Sequence, residues 1–286
     1  MSKLRELVAK ELALPVDPRV TAMAAAIAAA HGAASRAVLF YGSSLREKRL
    51  DGLMLDFYLI VSDYRTAYEK RWLAVANRLI PPNVFYFGHD RLAAKYAVLS
   101  EADFRRLCGP ETSSVSVWAR FAQPSRLAWV ADDQARERAI EAVVRAAPTL
   151  LAAAGPKAGE QPLELWRRAF ALTYSAELRA ERKARAGSVV DAEPERFERL
   201  TAPSLKVARS LNPHGNWAWR RIEGKALSLA RLAKASLTFA GGADYIAWKI
   251  NRHAGTDIQL RPWQQRHPLL AAISLLPRLL RSGAVR

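Results

Sequence analysis

The sequence predicts a mixed α/β domain over residues 1–155, an all-helical domain over 163–254 and a basic amphipathic tail over 255–286. Short apolar runs rich in Val, Phe and Tyr, bounded by Gly, Pro and Asp, fill the first 130 residues and read as strands. Beyond the Ala-, Gly- and Pro-rich stretch Ala152–Pro162 the apolar spacing becomes helical. After residue 200 the acids nearly vanish, leaving 14 Lys and Arg against 3 Asp and Glu.

Taken in order, residues 1–35 carry a helical pattern ending near His31-Gly32. Ala37–Tyr41 is apolar throughout and is stopped by Gly42, which predicts a buried strand. Leu55–Val61 is a second strand, Tyr68–Leu79 a helix halted by Pro81-Pro82, and Val84–Phe87 a third strand. Lys95–Leu99 is a fourth strand. Ser100 should cap a short helix with Glu101 and Asp103 in its first turn. Val115–Phe121 is expected as a fifth strand, and Asp132-Asp133 opens a helix expected to run to about Ala147. Helices follow at Leu163–Arg185, Glu195–Val207, Trp219–Phe239 and Tyr245–Ala254.

The composition excludes several classes. A single cysteine, Cys108, rules out an internal disulfide and a cysteine-rich metal site. There is no His-Glu-x-x-His pair, no Walker loop and no Gly-x-Gly-x-x-Gly. The longest apolar stretches are interrupted or fall short of the ~20 residues of a spanning helix. The first residues read as an amphipathic helix without a signal-peptide core. The expectation is a protein of a reducing compartment, cytoplasmic and held peripherally at the inner face of a membrane. The net charge of +17 implies an anionic partner: nucleic acid, nucleotide or an anionic membrane surface. His267–Arg281, apolar with terminal basic residues, is either an interfacial anchor or a segment packed on the body of the protein.

The chemistry-bearing motif is Tyr41-Gly42-Ser43-Ser44, followed thirteen residues after Ser43 by Asp56 at the start of an apolar strand. Glycine allows the backbone to approach a phosphate, and the turn offers N–H groups and hydroxyls to it. A strand-borne carboxylate could hold a divalent metal against that phosphate. Strand, Gly-Ser turn and strand-borne Asp is the layout of the DNA polymerase β-like nucleotidyltransferase fold. The usual version has a second acid two residues on, where this chain has Tyr58. Lys95 either neutralises a phosphate or sits on an edge strand and discourages aggregation.

Four segments occur in one order: Met54-Leu55-Asp56-Phe57, Ala94-Lys95-Tyr96-Ala97-Val98-Leu99-Ser100, Ala119-Arg120-Phe121 and Leu172-Thr173-Tyr174-Ser175-Ala176-Glu177-Leu178-Arg179. Together with the Tyr-Gly-Ser turn they resemble the mitochondrial translocator assembly and maintenance family, the peripheral CDP-diacylglycerol synthases. The resemblance covers roughly residues 37–180. It implies a polymerase β-like first domain, a helical second domain and a membrane-associating C-terminal region. The implied reaction couples CTP and phosphatidic acid to CDP-diacylglycerol and pyrophosphate with Mg²⁺. On this resemblance Asp56 is catalytic and binds the metal, Lys95 is catalytic, and Tyr41, Gly42, Ser43, Ser44, Glu177 and Arg179 bind nucleotide. Arg231 and Lys234, three apart on one helix face, meet the phosphates of CTP or lipid or are simply solvated. Nucleic acid is not expected as the partner. Ala97 stands where the family has Gly, and Ala176-Glu177 where it has Gly-Asp. Glu177 and Arg179, two apart on the expected helix, diverge by about 160–200° and cannot both face one site. Two other readings use the same residues: a nucleotidyltransferase acting on RNA, protein or a small molecule, and a non-catalytic basic module.

Overall fold

The computed structural model describes residues 2–47, 49–177, 185–238 and 261–263. In chain order the elements are α1 (Lys3–Leu12), α2 (Pro18–Ala29), β1 (Ser35–Tyr41), β2 (Met54–Val61), α3 (Tyr64–Ala67) and α4 (Arg71–Leu79). Next come β3 (Asn83–His89), β4 (Leu92–Ser100), α5 (Glu101–Leu107), α6 (Trp118–Phe121), β5 (Ser125–Val130), α7 (Asp133–Val144) and α8 (Ala146–Ala154). The last are α9 (Pro162–Ala176), α10 (Arg185–Ala192), α11 (Pro194–Ala208) and α12 (Trp217–Thr238). The fold is mixed α/β, as the strand and helix patterns imply.

One five-stranded sheet, ordered β3-β4-β2-β1-β5, carries the architecture. Only the β2–β4 pair is parallel; the other three are antiparallel. Because side chains alternate along a strand, the sheet serves two cores. Val38, Phe40, Leu55, Phe57, Leu59, Val61, Ala94, Tyr96 and Val98 belong to a cluster completed by α2 and α3. Leu39, Tyr58, Ile60, Ala97 and Leu99 face the other way, into a cluster shared with Trp166, Phe170 and Phe197 of α9 and α11. The boundary expected near residues 155–163 therefore separates chain segments that share one apolar core. A buried ion pair between Arg196 of α11 and Glu11 of α1, with Arg196 also donating to the Ala122 carbonyl, ties the same parts together.

Caps account for several element starts. Ser100 Oγ accepts from the Asp103 N–H at the head of α5, and Asp132 from the Ala135 N–H at the head of α7. Three expectations are corrected. Val115–Phe121 contains no strand: Trp118–Phe121 forms a buried helical turn, and the fifth strand is Ser125–Val130. A continuous apolar run does not distinguish the two, and burial of Trp118 and Phe121 in the core decides it. The helix opening at Asp132 ends at Val144, and a second one begins at Ala146, with Pro148 in its first turn. Finally, the helix from 163 ends at Ala176 rather than Arg185. There α12 crosses it at Gly224, where a Cβ would overlap the Ala176 carbonyl oxygen. The expected helix Tyr245–Ala254 lies outside the described residues.

Candidate active site

Strand register sets one row of side chains across the sheet: Tyr86 of β3, Lys95 of β4, Asp56 of β2 and Tyr41 of β1. They lie on the face shared with α9 and α11, one step beyond the buried row that contains Ala97 and Tyr58. Parallel pairing of β2 with β4 places Lys95 directly beside Asp56, with Nζ 3.1 Å from Oδ1. The geometry is that of a charge contact: Asp56 Oδ1 is buried and makes no directional hydrogen bond. β4 has a neighbour on each side, so Lys95 is no edge-strand lysine.

The Gly-Ser turn closes over this pair. Gly42 has φ 95° and ψ −169°, a region open essentially to glycine alone. A Cβ at that position would lie 3.2 Å from Asp56 Oδ2. Both facts demand glycine here. Gly42→Ala should cost about 1–3 kcal/mol of stability and displace the Asp56 carboxylate. Chemical denaturation with an activity assay reads both effects, and a variant as stable as the parent would show the turn to be relaxed. Ser43 opens a short 3-10 helix, Ser43–Arg46, and Ser44 is buried with an Oγ that lacks a hydrogen-bond partner.

Beside Asp56 lies a cavity of about 180 Å³, lined by Tyr41, Tyr58, Pro82, Lys95, Ser116, Arg120 and Arg231, among others. It is below the ~300 Å³ of small-molecule sites and of a size for a phosphate group. A wider hollow of about 440 Å³, bordered by Tyr86, His89 and Arg91, lies at the β3–β4 hairpin. The two hollows flank the Tyr86–Lys95 pair.

Arg120 is the functional-looking residue that the sequence reading left without a role. Burial works against its charge, but Tyr58, Glu177, Tyr41 and Asp56 outweigh it and hold the guanidinium protonated. Its backbone position comes from α6, the turn mistaken for a strand, and Nη1 donates to the Ser116 carbonyl. A lone Arg within the apolar run 117–122 was the available signal. Tyr58, in the place of a second acid, packs against Tyr41 and Phe121 with ring centroids 5.3 and 5.2 Å away. Burial keeps its phenol neutral despite the pull of Arg120 and Arg231. Burial and Asp56 do the same for Tyr41.

Glu177 is not on a helix. It follows the last residue of α9 with extended backbone, φ −112° and ψ 155°. Its side chain is 7 % exposed and lies 3.9 Å from Arg120 Nη1. The helical spacing on which the expected divergence rests does not hold at Glu177. Arg179 lies outside the described residues. Arg231 reaches the cavity, donating to Ser116 Oγ at 3.1 Å and to the Pro81 carbonyl at 2.8 Å. Lys234 turns away from it and donates to the carbonyls of Ile80 and Pro82.

Burial, with Arg231 nearby, lowers the Lys234 pKa to about 7. A neutral amine still has two N–H groups for its two carbonyls. Above pH 7 the folded chain sheds this proton while the unfolded chain, near its ordinary 10.5, retains it. Stability contributed here should thus rise between about pH 7 and pH 10.5. Denaturation across that range should show the rise in the parent and its loss in Lys234→Met.

Asp56 is the carboxylate available for a divalent metal in the row. Among the described residues no group of three or more His, Cys, Asp or Glu could hold a metal ion unaided. Mg²⁺ is commonly held by one or two carboxylates plus substrate phosphates, and Asp56 Oδ1, which makes no directional hydrogen bond and meets only the charge of Lys95, fits that arrangement once the lysine turns to a phosphate. Among the described residues no helix is long and apolar enough to cross a membrane. No family model matches the chain, and no curated protein does.

Proposed function

We propose that the chain is a polymerase β-like nucleotidyltransferase that couples CTP to phosphatidic acid, releasing pyrophosphate and CDP-diacylglycerol. The observation that carries the reading is the juxtaposition of Asp56, Lys95 and the Gly42 turn, with Arg120 and Arg231 lining the adjoining cavity. That set joins one carboxylate to three cations, which suits a reaction between two phosphates.

In this reaction an oxygen of the phosphatidate phosphate bonds to the α-phosphorus of CTP, and the bond from that phosphorus to the β-phosphate oxygen breaks. The nucleophile has a second pKa near 6 and is already largely ionised at neutral pH. No side chain need remove a proton, which suits a site where Tyr58 replaces an acid. Asp56 would hold Mg²⁺ together with the triphosphate; the ion supplies charge neutralisation at the phosphates. Lys95 and Arg120 neutralise further charge, and the backbone at Gly42-Ser43 approaches the triphosphate closely. Glu177 orients Arg120. Peripheral attachment at the inner face of the membrane follows from the acceptor being a lipid.

Purified protein incubated with Mg²⁺, labelled CTP and detergent-dispersed phosphatidic acid should yield a lipid-soluble nucleotide. CTP should also raise the melting temperature above the shifts given by ATP, GTP or UTP, since a ligand of the native state stabilises it. Equal shifts for all four would remove the cytidylyl claim. No product together with no nucleotide-dependent shift would leave a non-catalytic basic module, the reading that Tyr58 favours where the family resemblance is accidental.

A further inference from the structure

Helix α4 carries an apolar stripe that the described residues leave uncovered. Trp72, Val75 and Leu79 are 45, 57 and 72 % exposed, and spacings of three and four residues put them on one face. Arg71 and Arg78, also exposed, run along one side of that stripe. The helix itself contains no acid; Glu69 precedes it.

The inner face is fixed. Asn77, fully buried, donates to the Tyr68 hydroxyl at 3.2 Å and the Val98 carbonyl at 2.9 Å, and accepts from the Asn83 N–H. Rolling α4 to bury the stripe would break all three bonds and leave buried polar groups unpaired. The apolar face is therefore presented outward by construction. The C-terminal end of α4 runs directly into Ile80-Pro81-Pro82, whose carbonyls Arg231 and Lys234 hold, and Pro82 lines the small cavity. Whatever α4 rests on is brought close to the site.

We propose that this face of α4 lies on an anionic lipid surface, with Trp72, Val75 and Leu79 in the interfacial layer and Arg71 and Arg78 on headgroup phosphates. Charge complementarity selects this occupant. The exposed arc combines apolar and basic side chains, and the whole chain carries +17. Three apolar side chains are far short of the ~800 Å² per partner of a stable protein interface. They suit interfacial binding, where modest apolar insertion adds to about 1 kcal/mol per nearby basic residue. The amphipathic indole of Trp72 suits that layer as well. The inference takes its lipid chemistry from the proposed function and adds the surface that meets it.

The test exploits Cys108, whose thiol is buried and pushed up in pKa by that burial. Val75→Cys in the full chain accepts an environment-sensitive fluorophore selectively at the new thiol. Its emission should shift to the blue with vesicles containing phosphatidic acid, not with zwitterionic ones, and the shift should fade in high salt. Trp72→Ser with Leu79→Ser should lower vesicle partitioning about tenfold while leaving turnover of detergent-dispersed substrate unchanged. An unshifted label on a chain that still sediments with anionic vesicles overturns the inference and leaves the enzymatic reading intact. A label already shielded from an aqueous quencher without vesicles overturns it too, because another segment or a second copy then covers α4; sedimentation velocity tells those apart. No binding to vesicles and no detergent turnover would sink both readings together.

Discussion

On the proposed function, Asp56→Ala should lower cytidylyl transfer by at least a hundred- to thousandfold, the scale on which a single preorganised electrostatic group acts, while barely moving the unfolding transition. The two effects separate because of where the residue sits. The Asp56 side chain is 22 % exposed and its partner Lys95 47 %, and a partly exposed pair contributes about 1 kcal/mol or less. After the substitution Lys95 returns to water at little cost. The chemistry has no such refuge, since no other carboxylate stands in the row formed with Tyr41, Lys95 and Tyr86. Asp56→Asn sharpens the test by keeping the shape that packs under Gly42 and removing the charge alone. Formation of labelled CDP-diacylglycerol and a thermal melt are the two measurements. Activity within a few-fold of the parent, with an unchanged melt, would remove Asp56 from the mechanism.

A stability effect comparable to that of Gly42→Ala is expected outside the sheet, at Gly224→Ala. In an isolated helix the change would gain about 1 kcal/mol of propensity. Here the new methyl meets the backbone carbonyl of Ala176, which has no rotamer by which to move aside. Either α12 or the end of α9 must shift, and overpacking of this kind typically costs about 1–3 kcal/mol. Steric strain should win, lowering the melting temperature by several degrees. The shift would also reach the cavity from two sides. α12 carries Arg231 and Lys234, and Ala176 precedes Glu177, the partner of Arg120. Activity should therefore fall along with stability. A variant as stable as the parent would mean that the helices do not cross this closely.

What was legible in the sequence follows from what burial requires of a pattern. Four strands could be read because each is a short, mainly apolar run bounded by a turn residue, and the run Phe57–Val61 placed Asp56 near a strand start. The adjacency of Asp56 and Lys95 was not legible, since it depends on which strands pair and in which direction. Val115–Phe121 misled because its short apolar pattern fits either backbone, and only the burial of Trp118 and Phe121, three apart, in one core selects the helical turn. That error hid Arg120, whose role depends on the helical turn. Glu177 was placed on a helix because nothing local announces the stop at Ala176. What meets the helix end is Gly224 of α12, forty-eight residues later in the chain.

The two-sided sheet has a consequence for how this chain can change its length. Every strand neighbouring Asp56 is pinned by apolar side chains on both faces. A one-residue deletion within β2 would turn Asp56 toward Phe40 and Val38 and swing Phe57 into the phosphate-sized cavity. Loss or gain of residues between β1 and β2, beyond the Gly42-Ser43-Ser44 turn that packs on Asp56, leaves the pairing untouched. Natural variation and engineered insertions should thus accumulate in the connections, with strand lengths around the carboxylate held constant. A library of single-residue indels, scored for folded protein, would draw that boundary residue by residue.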